Sequence, residues 1–286
     1  MGLEGGEVGK MIRPALCLMS CKGCGGEVEK AIQPACAIEL LHNFSLIHDD
    51  IEDGSPMRRD RPTVWKVYGE AQAINAGDAL FALAKLALLD LSEVIPPDKV
   101  LEVERLFTSA CLRLCEGQYL DLSFESLPIL SEEDYLKMAS GKTSTLFELP
   151  LRIGALIAEA PPETVYALAE CGYYLGLGFQ IQDDLFSIKE WASPDLERKK
   201  KIYPVVYAFT LRDIGERLKE LYAKERLSPE DIGKVLRLLG EGRALEHSLK
   251  KAEEYYNLAL KALERANLKD ASEIRETIIA LKERER

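Results

Sequence analysis

Apolar residues recur at three- and four-residue spacing from Pro14 almost to the C-terminus, which predicts one amphipathic helix after another. Few runs alternate apolar and polar residues with β-branched bias, so no strand is predicted. Ile32 to Ile47 is apolar nearly all round and reads as a buried helix. Leu168 to Ile181 has the same character, and its Gly172, Gly176 and Gly178 permit close approach of a neighbour. Arg243 to Arg265 is amphipathic and laced with charge, as expected of a peripheral helix. Breaks are expected at Gly23–Gly26, Gly54–Pro62, Pro96–Pro97, Pro128, Ser140–Lys142, Pro161–Pro162, Ser193–Pro194 and Ser228–Pro229. Ser131 and Ser228, each followed by acids, offer N-caps. Pro97 and Pro162 suit the first turn of a helix. No low-complexity linker interrupts the pattern. The expected fold is all-α, a single domain over residues 1–286, built as a bundle of about ten helices.

Composition strengthens this picture. The 286 residues are 47% hydrophobic and 30% charged, with only 7% aromatics, and Leu, Ala, Glu and Lys favour helices. The net charge of −11 and the lack of a basic stripe argue against a nucleic-acid partner. No run of about 20 apolar residues is present, so no transmembrane segment is expected. Met1 to Gly9 is Gly-rich and acidic, unlike a secretory leader, so a cytoplasmic location is expected. Seven cysteines form no regular framework and are expected to be reduced. Cys17, Cys21 and Cys24 have the C-x3-C-x2-C spacing of an iron–sulfur site, but Cys17 sits in an apolar helical run, so small buried thiols are the better account.

The chemistry concentrates at two aspartate clusters on apolar helices. One is Ser45-Leu-Ile-His-Asp-Asp-Ile-Glu-Asp53 and the other Phe179-Gln-Ile-Gln-Asp-Asp-Leu-Phe-Ser187. Asp49 and Asp53 are four apart, which puts both carboxylates on one helix face. Like charges at the end of a buried helix need a cation between them. Hard oxygen donors suit Mg²⁺, which takes one or two carboxylates together with phosphate oxygens. A single pair is more often a solvated helix face; two pairs, each opening Asp-Asp, favour a Mg²⁺–diphosphate clamp. Arg58, Arg59 and Arg61 follow the first cluster and provide guanidinium forks for a second anion.

These motifs resemble the trans-prenyl diphosphate synthases, the polyprenyl synthetase family, and within it the archaeal-type geranylgeranyl diphosphate synthases. The resemblance rests on Gly9-Lys10-x-x-Arg13-Pro14, Asp49-Asp50-x-x-Asp53 with Arg58-Arg59 and Arg61-Pro62-Thr63, Gly77-Asp78, Gly117-Gln118-x-x-Asp121, Gly141-Lys142-Thr143 and Phe179-Gln180-x-x-Asp183-Asp184, in that order. It implies helices around a deep central cavity and head-to-tail condensation of isopentenyl diphosphate with an allylic diphosphate. Asp49, Asp53 and Asp183 would hold up to three Mg²⁺ ions. Arg58, Lys142 and Lys200 would grip the allylic diphosphate, while Thr143 and Gln180 would face the allylic cation. Lys10, Arg13, His42 and Arg59 would grip isopentenyl diphosphate. On the residues alone His42 reads equally as a hydrogen-bonded core histidine; its place seven residues before Asp49 matches the family's diphosphate-binding histidine. Phe44, five residues before Asp49, would lie about 7–8 Å below the metals at about 1.5 Å per residue. With Ser45 beside it, that aromatic resembles a chain-length floor near twenty carbons, with farnesyl diphosphate the next expectation.

The second motif has Ser187 where many members have a third aspartate, and the Ile188–Lys199 loop is shorter than usual, retaining Asp195 and Lys200. The resemblance implies a homodimer, with a heteromer also possible. It leaves open a silent regulatory subunit, or more remotely a terpene cyclase or a head-to-head synthase.

Overall fold

The computed structural model describes residues 11–189 and 194–284. It is built almost entirely of helices, in two compact units that share continuous helices.

The first unit comprises residues 11–111, 149–168 and 266–271. It contains α1 (Ile12–Cys24), α2 (Ile32–Glu52), α3 (Val64–Tyr68) and α4 (Glu70–Leu89). It also takes the first half of α5 (Pro97–Glu125). Gly25, at φ 85°, closes α1 in the left-handed conformation that glycine tolerates. The core gathers Leu16, Cys17, Ile38, Leu41, Leu88, Phe107, Leu151 and Ile153. α2 packs along α4. It is less buried than its apolar sequence predicts: Ile32 is exposed and Phe44 to His48 are half-buried.

The absence of strands needs one correction. Met57–Arg58 and Arg61–Pro62 form a two-stranded antiparallel hairpin, pairing Met57 with Pro62 and Arg58 with Arg61. Its two-residue loop, Arg59-Asp60, holds both residues at positive φ, 51° and 59°. Such primed turns match strand twist, but normally use Asn or Gly. No Asn-Gly signal marks this one.

The second unit comprises residues 112–148, 169–265 and 272–284. α6 (Glu132–Ala139) runs into α7 (Thr145–Ile157) through a single π-helical turn, Ser140–Ser144. The break expected at Ser140–Lys142 is therefore absent. Gly141 serves close approach instead: a Cβ there would lie 2.9 Å from Gly117 Cα and from Arg113 O. α8 (Pro162–Lys189) bears the predicted glycines in the same role. Added Cβ atoms would meet Glu148 Cα at 2.5 Å from Gly172 and Ser144 Cα at 2.3 Å from Gly176.

The remaining elements are α9 (Pro194–Glu197), α10 (Tyr203–Thr210), α11 (Arg212–Tyr222), α12 (Pro229–Glu241), α13 (Ala244–Arg265) and α14 (Ser272–Lys282). Ser131 caps α6 by accepting from Asp134 N, and Ser228 forms a full capping box with Asp231 on α12. Each cap is worth about 1 kcal/mol. α13 buries an Ala-rich stripe with Tyr256 and keeps its charged face outside, as its pattern predicts.

Cys17 and Cys21 are buried and Cys24 half-buried. Desolvation raises the Cys21 and Cys24 thiols to about 11 and Cys17 further, so these groups stay protonated packing thiols.

Candidate functional site

In the first unit the site grows from the end of α2. Asp53 caps the helix, and Gly54, at φ 58°, turns the chain away. The segment beyond is tied back by Ser55 N donating to Asp50 O (2.9 Å) and by Thr63 Oγ1 (2.9 Å) and Trp65 Nε1 (2.8 Å) donating to Ser55 O. This brace holds the hairpin over the aspartates. Arg58 then spans both neighbours: Nε donates to Asp50 Oδ1 at 2.8 Å and Nη2 to Asp49 Oδ2 at 3.1 Å. Burial pushes the Asp50 carboxyl up despite Arg58. Asp49 and Asp53 remain one helical turn apart. Arg59, at the hairpin tip, is exposed. A bulky residue held at positive φ is a strained conformation of the kind that gathers at functional sites.

Two turns earlier on α2, Arg13 Nη1 lies 3.1 Å from His42 Nε2. A guanidinium can only donate, so Nε2 accepts and the proton sits on Nδ1. That Nδ1 is buried without a hydrogen-bond partner. Burial and then the charges of Arg13, Arg59 and Arg58 lower the His42 pKa to about 2. His42 is thus a neutral acceptor that orients Arg13. His42 is therefore a hydrogen-bonded, half-buried histidine paired with Arg13.

Below the aspartates, the Phe44 ring contacts His48 (4.8 Å between centroids) and Phe81 (5.5 Å), and Phe81 stacks on Phe107 at 6.4 Å. Ser45 Oγ donates to His42 O at 2.8 Å. Gly77 makes room for His48, whose Nε2 lies where a Cβ would be 2.2 Å away. That accounts physically for the glycine of the Gly77-Asp78 motif.

In the second unit the motifs also pair. Gly117 lets the π-turn come close, since a Cβ there would sit 2.2 Å from Lys142 N. One turn on, Asp121 accepts from Lys142 Nζ at 2.6 Å. Thr143 Oγ1 donates to Gln180 Oε1, and Gln180 Nε2 donates to Asp184 Oδ1 at 2.8 Å. A carboxylate only accepts, so this chain fixes which end of the Gln180 amide faces Thr143. Asp184 Oδ2 also accepts from Tyr135 OH (2.7 Å) and from Tyr203 N (2.8 Å). Burial raises Asp184 to about 7, and these three donors oppose the shift. Asp183, its neighbour, is far more exposed and pairs with Arg284 at 3.2 Å. Lys200 is half-buried, its N–H donating to Asp195 O at 2.8 Å. Lys10 lies outside the described residues.

The structure therefore gathers Arg13, His42, Asp49, Arg58 and Arg59 in one unit and Lys142, Thr143, Gln180 and Asp183 in the other. Sequence reasoning quoted Asp184 in its motif without giving it a role, and missed Tyr135 and Arg284. Asp184 was within reach, being four residues after Gln180 on one helix face. The other two meet α8 only through the tertiary fold.

Comparison with known proteins decides the family. A profile of the polyprenyl synthetase family matches residues 6–239. The chain belongs to the polyprenyl synthetase family. It is an enzyme of the prenyltransferase class. It is similar to the geranylgeranyl pyrophosphate synthase of Geoglobus acetivorans, with 37% identity over 90% of this chain and 80% of that protein. The (2E,6E)-farnesyl diphosphate synthase of Mycobacterium bovis is 40% identical over 70% of this chain and 56% of its own length. Among solved structures, the geranylgeranyl pyrophosphate synthetase of Pyrococcus horikoshii superposes with a TM-score of 0.89 at 33% identity, covering 97% of this chain and 86% of that one. No helix among the described residues is long and apolar enough to cross a membrane.

Proposed function

We propose that this prenyl synthase condenses isopentenyl diphosphate with an allylic diphosphate and releases diphosphate, ending at geranylgeranyl diphosphate. The observation that carries the reading is the end of α2. There Arg13 donates to neutral His42 two turns before Asp49 and Asp53, and Arg58 bonds Asp49. An anion site built from protein cations beside an acid pair suits two diphosphates, one bound directly and one through metal.

The acid set fits magnesium. Among the described residues no three acid, His or Cys side chains form a ready-made cage. Paired hard oxygens with room for water and phosphate ligands are what Mg²⁺ prefers. Asp49, Asp53 and Asp183 would hold up to three ions. Bound there, Mg²⁺ would supply charge neutralisation for the leaving diphosphate.

The chain's own residues do the rest. Lys142, positioned by Asp121, joins Arg58 and Lys200 on the allylic diphosphate. Arg13, aimed by His42, and Arg59, at the hairpin tip, take isopentenyl diphosphate with Lys10. Gln180 and Thr143 present oxygen dipoles toward the allylic cation, preorganised by Asp184. The alkene of isopentenyl diphosphate attacks that cation. The released diphosphate then accepts the proton. Phe44, backed by Phe81 and Phe107, closes the path of the growing chain.

The test is product analysis. Labelled isopentenyl diphosphate is supplied with dimethylallyl, geranyl or farnesyl diphosphate, and the hydrolysed alcohols are resolved by length. A twenty-carbon product that EDTA abolishes is expected. An unchanged product from Phe44→Ala would overturn the floor assignment.

A further inference from the structure

The residue after α14 that reaches Asp183 belongs to no motif. Arg284 places its guanidinium 4.8 Å from the Phe179 ring centroid and 4.7 Å from that of Phe186. Those rings flank Asp183 along α8, and Arg284 Nη2 lies 3.2 Å from Asp183 Oδ1. The arginine side chain is only 10% exposed while Asp183 is 45% exposed. A bracket holds it there. Buried Tyr256 of α13 donates its hydroxyl to Gln182 Oε1 at 2.7 Å, and Gln182 Nε2 donates to Lys282 O at 3.0 Å. Gln182 is the residue before Asp183, so one side chain fixes the end of α14 against the acid that Arg284 reaches.

We propose that Arg284 is a positioning residue of the catalytic site. It compensates Asp183 when no diphosphate is present, so that the metal ion at Asp183 binds together with diphosphate rather than before it. This rests on the reading of Asp183 as a metal ligand. The argument is electrostatic. An ion binding Asp183 alone meets a guanidinium on the same carboxylate, and the two cations repel at short range. A diphosphate supplies the negative charge that lets both stay. The two phenyl faces meanwhile stabilise the guanidinium and keep it from swinging into solvent.

The probe is Mn²⁺, counted by the loss of its free-ion electron paramagnetic resonance signal, with and without inorganic pyrophosphate. Arg284→Gln and Arg284→Met, the latter keeping an apolar stem between the rings, are compared with Arg284→Lys and Asp183→Asn. Without pyrophosphate, the Gln and Met variants are expected to tighten the weakest Mn²⁺ site by about tenfold, the scale of a typical site-to-site coupling. The Lys variant should stay near wild type, a rescue that a purely structural role would not give. With pyrophosphate, wild type and both neutral variants should bind equally many ions and Asp183→Asn one fewer. Unchanged Mn²⁺ affinity in folded Gln and Met variants, with Asp183→Asn still losing an ion, would overturn the role of Arg284 and leave the metal-ligand reading intact. Full Mn²⁺ binding by Asp183→Asn with pyrophosphate would overturn that reading, and the proposal with it.

Discussion

The two Asp-Asp pairs divide their labour in the same way but are built by opposite means. In each pair the first aspartate is the more open one and the second is buried: Asp49 against Asp50, and Asp183 against Asp184. At the end of α2, the buried Asp50 is compensated by a charge, Arg58, eight residues away on a braced hairpin. On α8, the buried Asp184 is held by neutral donors, Tyr135 OH, Tyr203 N and Gln180 Nε2, two of them from other elements. A local ion pair answers one buried carboxylate with one cation. A satisfied neutral network instead fixes the orientation of its neighbours, here the Gln180 amide. The first buried acid is thus met by a charge and the second by a neutral network.

The largest effect should come from the open aspartates. Asp49→Ala is expected to reduce turnover by on the order of 100-fold or more, as loss of a preorganised electrostatic group does. Steady-state product formation at saturating Mg²⁺ measures it.

Stability separates the buried pair. Asp184→Ala strands the Tyr135 hydroxyl, the Tyr203 N–H and one Gln180 N–H, and should cost about 3–5 kcal/mol. Asp50→Ala leaves Arg58 partly exposed and still bonded to Asp49, and should cost about 1–2 kcal/mol. Urea unfolding ranks the two; equal costs would erase the contrast.

Acid and base should also move the clusters in opposite senses. His42, lowered from 6.5 to about 2, is protonated more readily in the unfolded chain, so its contribution is lost as pH falls below about 6.5. Asp184, raised from 3.8 to about 7, keeps its proton in the fold where the unfolded chain has lost it. Its contribution is therefore lost as pH rises from about 4 to 7. Each slope approaches about 1.4 kcal/mol per pH unit at most. Unfolding free energies across pH, with His42→Gln and Asp184→Asn as references, test both signs.

Gly176→Ala, whose methyl would meet Ser144 Cα at 2.3 Å, should cost about 1–3 kcal/mol by overpacking. Calorimetric melting measures it.

The all-α class, the caps at Ser131 and Ser228 and the purpose of Gly172 and Gly176 were legible in the sequence, because each follows from local spacing or from lack of a side chain. The hairpin was not, because Arg59 is a poor residue for positive φ and no glycine or asparagine marks the turn; the brace through Ser55, Thr63 and Trp65 holds it. The run through Ser140–Ser144 was misread for a related reason. Gly141 looks like a helix stop, yet it accommodates α5. In the site, residues four apart on one helix could be read together, but Tyr135 and Arg284 reach α8 across 49 and 101 residues of chain. Nothing in local pattern reports such a contact.

The central claim is that both acid clusters are needed for the proposed prenyl transfer. A double-mutant cycle on turnover, with Asp49→Ala, Asp183→Ala and the pair, tests it most directly. Residues acting as a unit are strongly non-additive. The account predicts that each single variant loses most of the activity and that the double loses little more. Full activity in Asp183→Ala, or losses that simply multiply in the double variant, would contradict it.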